Sequence, residues 1–119
     1  MGSRPFVLIV EDDPQLSTVF TTVLKADFNV DVHSNGETAF QALGKIVPDL
    51  ILLDMHLPGK SGKQILEYVR ADVRFEKTKI ILMTADSLLA YSLYDQADQV
   101  VLKPVSPMQL RESALKLFK

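Results

Sequence analysis

Apolar residues fall along this chain in two kinds of stretch. Short unbroken runs recur at "FVLIV" (6–10), "DLILLD" (49–54), "KIILMTAD" (79–86) and "QVVLKP" (99–104), and each reads as a strand. Between them the apolar positions are spaced three and four apart. Leu16, Val19, Phe20, Val23 and Leu24 fall at i, i+3, i+4, i+7 and i+8, which predicts one inward face of a helix. Ala39, Phe40, Leu43 and Ile46 mark the inner face of a second helix from Gly36 to Lys45. Ile65, Leu66 and Val69 mark that of a third, beginning near Gly62. A short helix is expected around Leu88 to Tyr94, and Pro107 opens a last one. "NVDVH" (29–33) alternates weakly, as an edge strand does. "RADVRFEK" (70–77) reads as a solvated helix end and loop.

Strands that alternate with helices imply right-handed crossovers and a parallel sheet. The runs other than "NVDVH" are apolar throughout, as expected where helices cover both faces of a sheet. The expected fold is therefore α/β. It is a doubly wound, flavodoxin-like sheet of five parallel strands in the order 2-1-3-4-5, with five helices. The 119 residues are read as one domain, 1–119, with residues 1–4 a flexible or partly tag-derived terminus.

Composition narrows the function classes. A net charge of −2 gives no basic footprint, so direct nucleic-acid binding is not expected. Cysteine is absent, which removes disulfides and thiolate metal sites. No apolar run approaches the roughly 18 residues of a membrane span, and the N-terminus has no signal-peptide pattern. The expected location is cytoplasmic, without membrane attachment.

In open α/β sheets the site lies beyond the carboxyl ends of the strands. Glu11, Asp12 and Asp13 follow the first strand, Asp54 ends the third, Thr84 stands near the end of the fourth, and Lys103 near the end of the fifth. Asp13 before Pro14 fits a helix start, N-cap followed by N1. The remaining carboxylates, with no His or Cys cluster, make an all-oxygen site suited to Mg²⁺, with Mn²⁺ as the alternative ion. Asp54 lies centrally and is the best-placed nucleophile for phosphorus. Metal, Lys103 and Thr84 could each contact one oxygen of a transferred phosphoryl group.

These residues resemble those of the receiver domain of two-component response regulators. The resemblance covers essentially the whole chain. It rests on the acidic pair after the first strand, "LILLDMHLPGKSG", "MTA" and "LKP", in that order and at these spacings. It implies that Asp54 is the phosphoacceptor. Asp12 would ligate Mg²⁺ directly and Glu11 through water, together with Asp54 and the backbone carbonyl of His56. Thr84 would hydrogen-bond the phosphoryl group and move toward it on activation. Lys103 would pair with Asp54 and then with the phosphoryl oxygen. The Lys103–Pro104 bond would be cis, with Pro104 a structural residue. The phosphoryl donor would be a histidine kinase or a phosphotransfer protein. The recipient would be an output domain, a downstream protein or a second copy, docked on the fourth helix, fifth strand and last helix. Such a domain turns over no external substrate and is not an enzyme in the usual sense.

The chain departs from that pattern at three places. The family usually carries an aromatic switch residue where Val100 stands, and Tyr91 or Tyr94 is the nearest substitute. The stretch from Thr84 to Ala97 is about one helical turn short, and Gln96 replaces an expected Gly. His56 and Asp86 occupy the two positions that tune the rate of dephosphorylation. The first two departures motivate an alternative, a phosphorylation-independent interaction module. A phosphohydrolase would want a cap segment. A flavin-binding protein would want a Ser/Thr/Gly-rich loop where three acids stand.

Overall fold

Strand β1 (Phe6–Val10) lies inside a five-stranded parallel sheet. Its neighbours are β2 (Asn29–His33) on one side and β3 (Leu50–Asp54) on the other. β4 (Lys79–Thr84) and β5 (Gln99–Leu102) complete the order β2-β1-β3-β4-β5, as the sequence predicts. The structure, a computed structural model, describes residues 4–118. Residues 1–3 of the expected flexible terminus lie outside those described. Arg4 does not: its guanidinium donates to the Lys25 carbonyl at 2.8 Å.

Each crossover is helical: α1 (Pro14–Leu24), α2 (Gly36–Leu43), α3 (Gly62–Ala71), α4 (Ser87–Leu93), and α5 (Pro107–Lys116) after β5. Polar caps set the starts. Asp13 accepts from the Gln15 and Leu16 N–H groups, and Pro14 follows at N1. Ser61 and Gln64 form a reciprocal capping box at α3. Ser106 caps α5, where Pro107 is the first residue.

The sheet separates two apolar layers. Leu8, Val10, Ile51, Leu53, Ile80 and Leu82 face α2 and α3 on one side. Val7, Ile9, Leu50, Leu52, Ile81 and Met83 face α1 and α5 on the other. Alternate residues of β1, β3 and β4 thus point to opposite cores, which is why these strands read as unbroken apolar runs. β5 is the edge strand that the order implies, but it is not covered on both faces as its apolar run suggests: it is half-buried, and Leu102 is 50% exposed.

The helical spacing locates the helices but misplaces one face. Val19 was expected inside and is exposed. The packed face of α1 is centred on Phe20 and Leu24 and turned toward buried Ser17, which leaves Val19 on the rim. Phe40 and Ile46 are half-buried rather than fully inside. The "RADVRFEK" loop hides a 3-10 turn, Val73–Phe75, whose Phe75 is buried against Tyr68. The fourth strand stops at Thr84 rather than residue 86, because Asp86 turns to cap α4 through the Leu88 and Leu89 N–H groups.

Arg70 closes the loop after the short α4. Its guanidinium donates to the Gln96 carbonyl at 2.8 Å, the Thr78 carbonyl at 3.4 Å and the Asp98 carboxylate at 3.2 Å. Asp98 in turn accepts the Ile80 N–H at 2.7 Å, tying that loop to β4.

Candidate functional site

The parallel order brings the carboxyl ends of β1, β3, β4 and β5 to one rim. Val10 stands opposite Leu53, Asp54 opposite Met83, and Thr84 opposite Leu102. The residues that end each strand therefore converge without any loop having to reach far. Glu11, Asp12 and Asp54 each bring a carboxylate oxygen within 4.8 Å of the others. Glu11 and Asp54 are buried, whereas Asp12 faces solvent.

Lys103 is the counterion of this group. Its ammonium donates to Asp54 Oδ2 at 3.1 Å and to Glu11 Oε1 at 3.2 Å. Only the Asp54 pairing was expected from the sequence. The second partner lies 92 positions away, and the signal for it was the strand order: β1, β3 and β4 leave one narrow rim for a long side chain to bridge. Glu11 is held from a second side by the Asp13 N–H, which donates to Oε2 at 3.2 Å. Asp54 Oδ1 accepts the His56 N–H at 3.0 Å, so both of its oxygens are engaged.

The electrostatics follow from burial. Desolvation, opposed by the Asp13 hydrogen bond and reinforced by the charge of Asp54, raises the Glu11 carboxyl from 4.5 to about 7. Burial pulls the Lys103 ammonium down, but its bonds and charge pairing with Asp54 and Glu11 outweigh that, so its pKa ends above the ordinary value. The sign of the Glu11 effect on stability is fixed. A carboxyl whose folded pKa is raised contributes fully below about 4.5, and that contribution is lost as pH rises through about 7. Stability is expected to decline between pH 4.5 and pH 8 in metal-free protein. Urea unfolding in chelator across that range is the check: wild type shows this decline, and Glu11→Gln has a flatter profile.

The site fits a hard divalent cation. All donors are oxygens, and opposite ligands of a six-coordinate Mg²⁺ stand roughly 4.2 Å apart. At most one of the three pairs can be opposite, and adjacent ligands stand roughly 3 Å apart, so the carboxylate oxygens, all within 4.8 Å of one another, would draw in around the ion.

The other predicted residues take the following places. Thr84 is fully buried at the end of β4; its Oγ1 accepts the Asp86 N–H at 3.0 Å and lies 3.3 Å from His56 Nε2. The His56–Thr84 contact was not anticipated, since no local pattern links residues 28 apart. Asp86 directs its carboxylate into the α4 cap. The Lys103–Pro104 peptide is cis. Val100 is half-buried, and Tyr91 and Tyr94, 84% and 73% exposed, line an open groove beside it with Leu102.

Gly62 and Gly36 hold the loop between β3 and α3 close to this rim. A Cβ on Gly62 would stand 2.5 Å from the Asp54 carbonyl oxygen, and one on Gly36 would stand 1.7 Å from that of Lys60. The loop turns at Gly59, whose φ of +77° favours glycine.

Comparison with known proteins gives a consistent result. Residues 7–115 match the family model of the response regulator receiver domain. The DNA-binding response regulator MtrA of Mycolicibacterium smegmatis is 36% identical over 111 residues, covering 90% of this chain and 47% of that protein. The chain thus spans about half the length of the MtrA relatives it matches. Hybrid signal transduction histidine kinase D of Dictyostelium discoideum is 31% identical over 98% of this chain, which is 8% of that protein. Among solved structures, response regulator protein TrrA of Thermotoga maritima, in complex with Mg²⁺ and BeF, superposes with a TM-score of 0.83 at 30% identity, covering 95% of this chain and 98% of that one.

Proposed function

From the premise that this chain belongs to the response regulator receiver domain family, we propose that it is a phosphoacceptor signalling domain whose accepting residue is Asp54. The observation that carries this reading is the bridge of Lys103 between Asp54 and Glu11, within a group of three acids from two strand ends. The donor is a phosphohistidine of a histidine kinase or phosphotransfer protein. An Asp54 carboxylate oxygen attacks phosphorus, the P–N bond of the donor breaks, and its electron pair returns to the imidazole. Mg²⁺, held by Glu11, Asp12, Asp54 and the His56 carbonyl, would supply positive charge to the phosphoryl oxygens. Lys103 adds a second positive charge, released from Asp54 Oδ2 to a phosphoryl oxygen as that carboxylate becomes an acyl phosphate. The His56 N–H on Oδ1 orients the carboxylate before attack. Thr84 contributes a neutral donor from β4. The family's usual face of α4, β5 and α5 presents the altered surface to an output domain, a downstream protein or a second copy, in a cytoplasmic setting. His56 and Asp86 flank the site and set how long the phosphoryl group survives.

A phosphorylation-independent interaction module is the second reading, favoured by Val100 and by the seven residues of α4. Incubation with Mg²⁺ and a small acyl phosphate separates the two. The expected result is one added phosphoryl group by intact mass, lost when the ion is chelated beforehand. Wild type that stays unmodified would reject the phosphoacceptor reading.

A further inference from the structure

Thr84 is fully buried, and a buried hydroxyl must place its single proton on an acceptor. One lone pair of Oγ1 already receives the Asp86 N–H at 3.0 Å. No buried side-chain N or O lacks a partner among the described residues. Among the described residues, the partner of Oγ1 that can take this proton is His56 Nε2, at 3.3 Å, when that nitrogen carries no proton of its own. The neutral imidazole accepts there when its own proton sits on Nδ1, a tautomer that Thr84 thereby selects.

His56 is also tied to Asp54, because its backbone N–H donates to Oδ1 at 3.0 Å. One residue thus touches the carboxylate through its main chain and the hydroxyl through its ring. We propose that the His56 side chain is a lock on Thr84, holding the hydroxyl proton away from Asp54 until a phosphoryl oxygen replaces the ring as acceptor. This rests on the phosphoacceptor reading, and it makes His56 a positioning residue rather than one that meets the phosphoryl group through its ring. Engagement of Thr84 becomes an exchange of one hydrogen bond for another, so its net gain is smaller than that of a free hydroxyl. A typical net hydrogen bond corresponds to a factor of roughly two to ten in an equilibrium constant.

Two measurements test the lock. In the first, the ring nitrogens of His56 are followed by NMR in wild type and in Thr84→Val, without any phosphoryl donor. The expected wild-type signature is protonated Nδ1 with Nε2 as acceptor, and Thr84→Val loses that preference. An unchanged signature in Thr84→Val, or a proton on Nε2 in wild type, overturns the proposal. In the second, beryllofluoride is titrated with Mg²⁺. His56→Ala, which keeps the backbone carbonyl, is expected to bind it about fivefold tighter. His56→Gln, whose amide oxygen can accept from Thr84, returns toward the wild-type value. In the Thr84→Val background the His56→Ala gain disappears. A gain that persists there, or no gain in His56→Ala, rejects the lock. If wild type neither binds beryllofluoride nor takes up phosphoryl, the function proposed above fails, and the NMR comparison still decides whether the His56–Thr84 bond exists.

Discussion

Asp54→Asn protein exposed to Mg²⁺ and a small acyl phosphate gains no phosphoryl mass. The substitution keeps shape and volume, so the fold of β3 and the His56 N–H bond to the side-chain oxygen are retained. What disappears is the charge and the nucleophile. An amide oxygen is a poor nucleophile toward phosphorus, and its nitrogen lone pair is delocalised, so no acyl phosphate forms. The loss should be complete rather than partial, because the carboxylate that forms the acyl phosphate is gone. Without metal, the relief of one of three crowded negative charges is set against the loss of the Lys103 bond to Oδ2, so the two effects oppose each other. An adduct of undiminished yield on Asp54→Asn would move the acceptor to another residue, and peptide mapping after hydroxylamine cleavage would locate it.

Gly62→Ala is expected to be a strongly damaging single-methyl change at the site. The added Cβ would stand 2.5 Å from the Asp54 carbonyl oxygen and 2.7 Å from the Met55 Cα. Both are main-chain atoms. Asp54 is paired with β4, and the Met55 N–H donates to the Met83 carbonyl at 3.0 Å, so neither can yield alone. The conflict is relieved only by lifting the start of α3 off the sheet, which also opens contacts of Ile65 and Leu66. The expected cost is about 3 kcal/mol, read as a lower urea midpoint with unchanged slope. Displacing the Asp54 main chain is also expected to slow phosphoryl uptake in urea-free buffer, where the variant is folded. Gly36→Ala makes a closer approach on paper, 1.7 Å from the Lys60 carbonyl oxygen. Lys60 sits in the loop after Gly59 rather than in a strand, and moving that loop away costs the bond from the Gly36 N–H to the Pro58 carbonyl, so Gly36→Ala is costly too. A Gly62→Ala protein as stable as wild type would show that α3 is looser on the sheet than its packing implies.

The contrast between these residues shows what a sequence can and cannot convey. The interior places of β1, β3 and β4 were readable because they are buried on both faces and so carry no alternation, whereas the order 2-1-3-4-5 leaned on the resemblance to the receiver family. Asp54, Thr84 and Lys103 were readable as a group because strand ends in a parallel sheet share a rim. Val19 was misread since apolar spacing defines a helix stripe but not its rotation, and small Ser17 took the packed position. Phe75 was hidden by the charges around it. The Lys103–Glu11 bridge and the His56–Thr84 bond depend on side chains meeting across strands, which no local pattern encodes.

The short α4 has a further consequence in terms of local unfolding. Its one fully buried side chain is Leu93, while Leu88 and Tyr91 stand in solvent. Little apolar surface is exposed when it opens, so its amides should exchange with solvent at a small fraction of the global unfolding free energy. Yet its first turn is capped by Asp86, whose N–H rests on the Thr84 hydroxyl. The shortest α-helix of the fold is thus joined by a single residue to the buried end of β4. A change at Thr84 need not push a rigid body. It can alter the fraction of time that α4 spends folded, and a partner could read that occupancy as well as a shape.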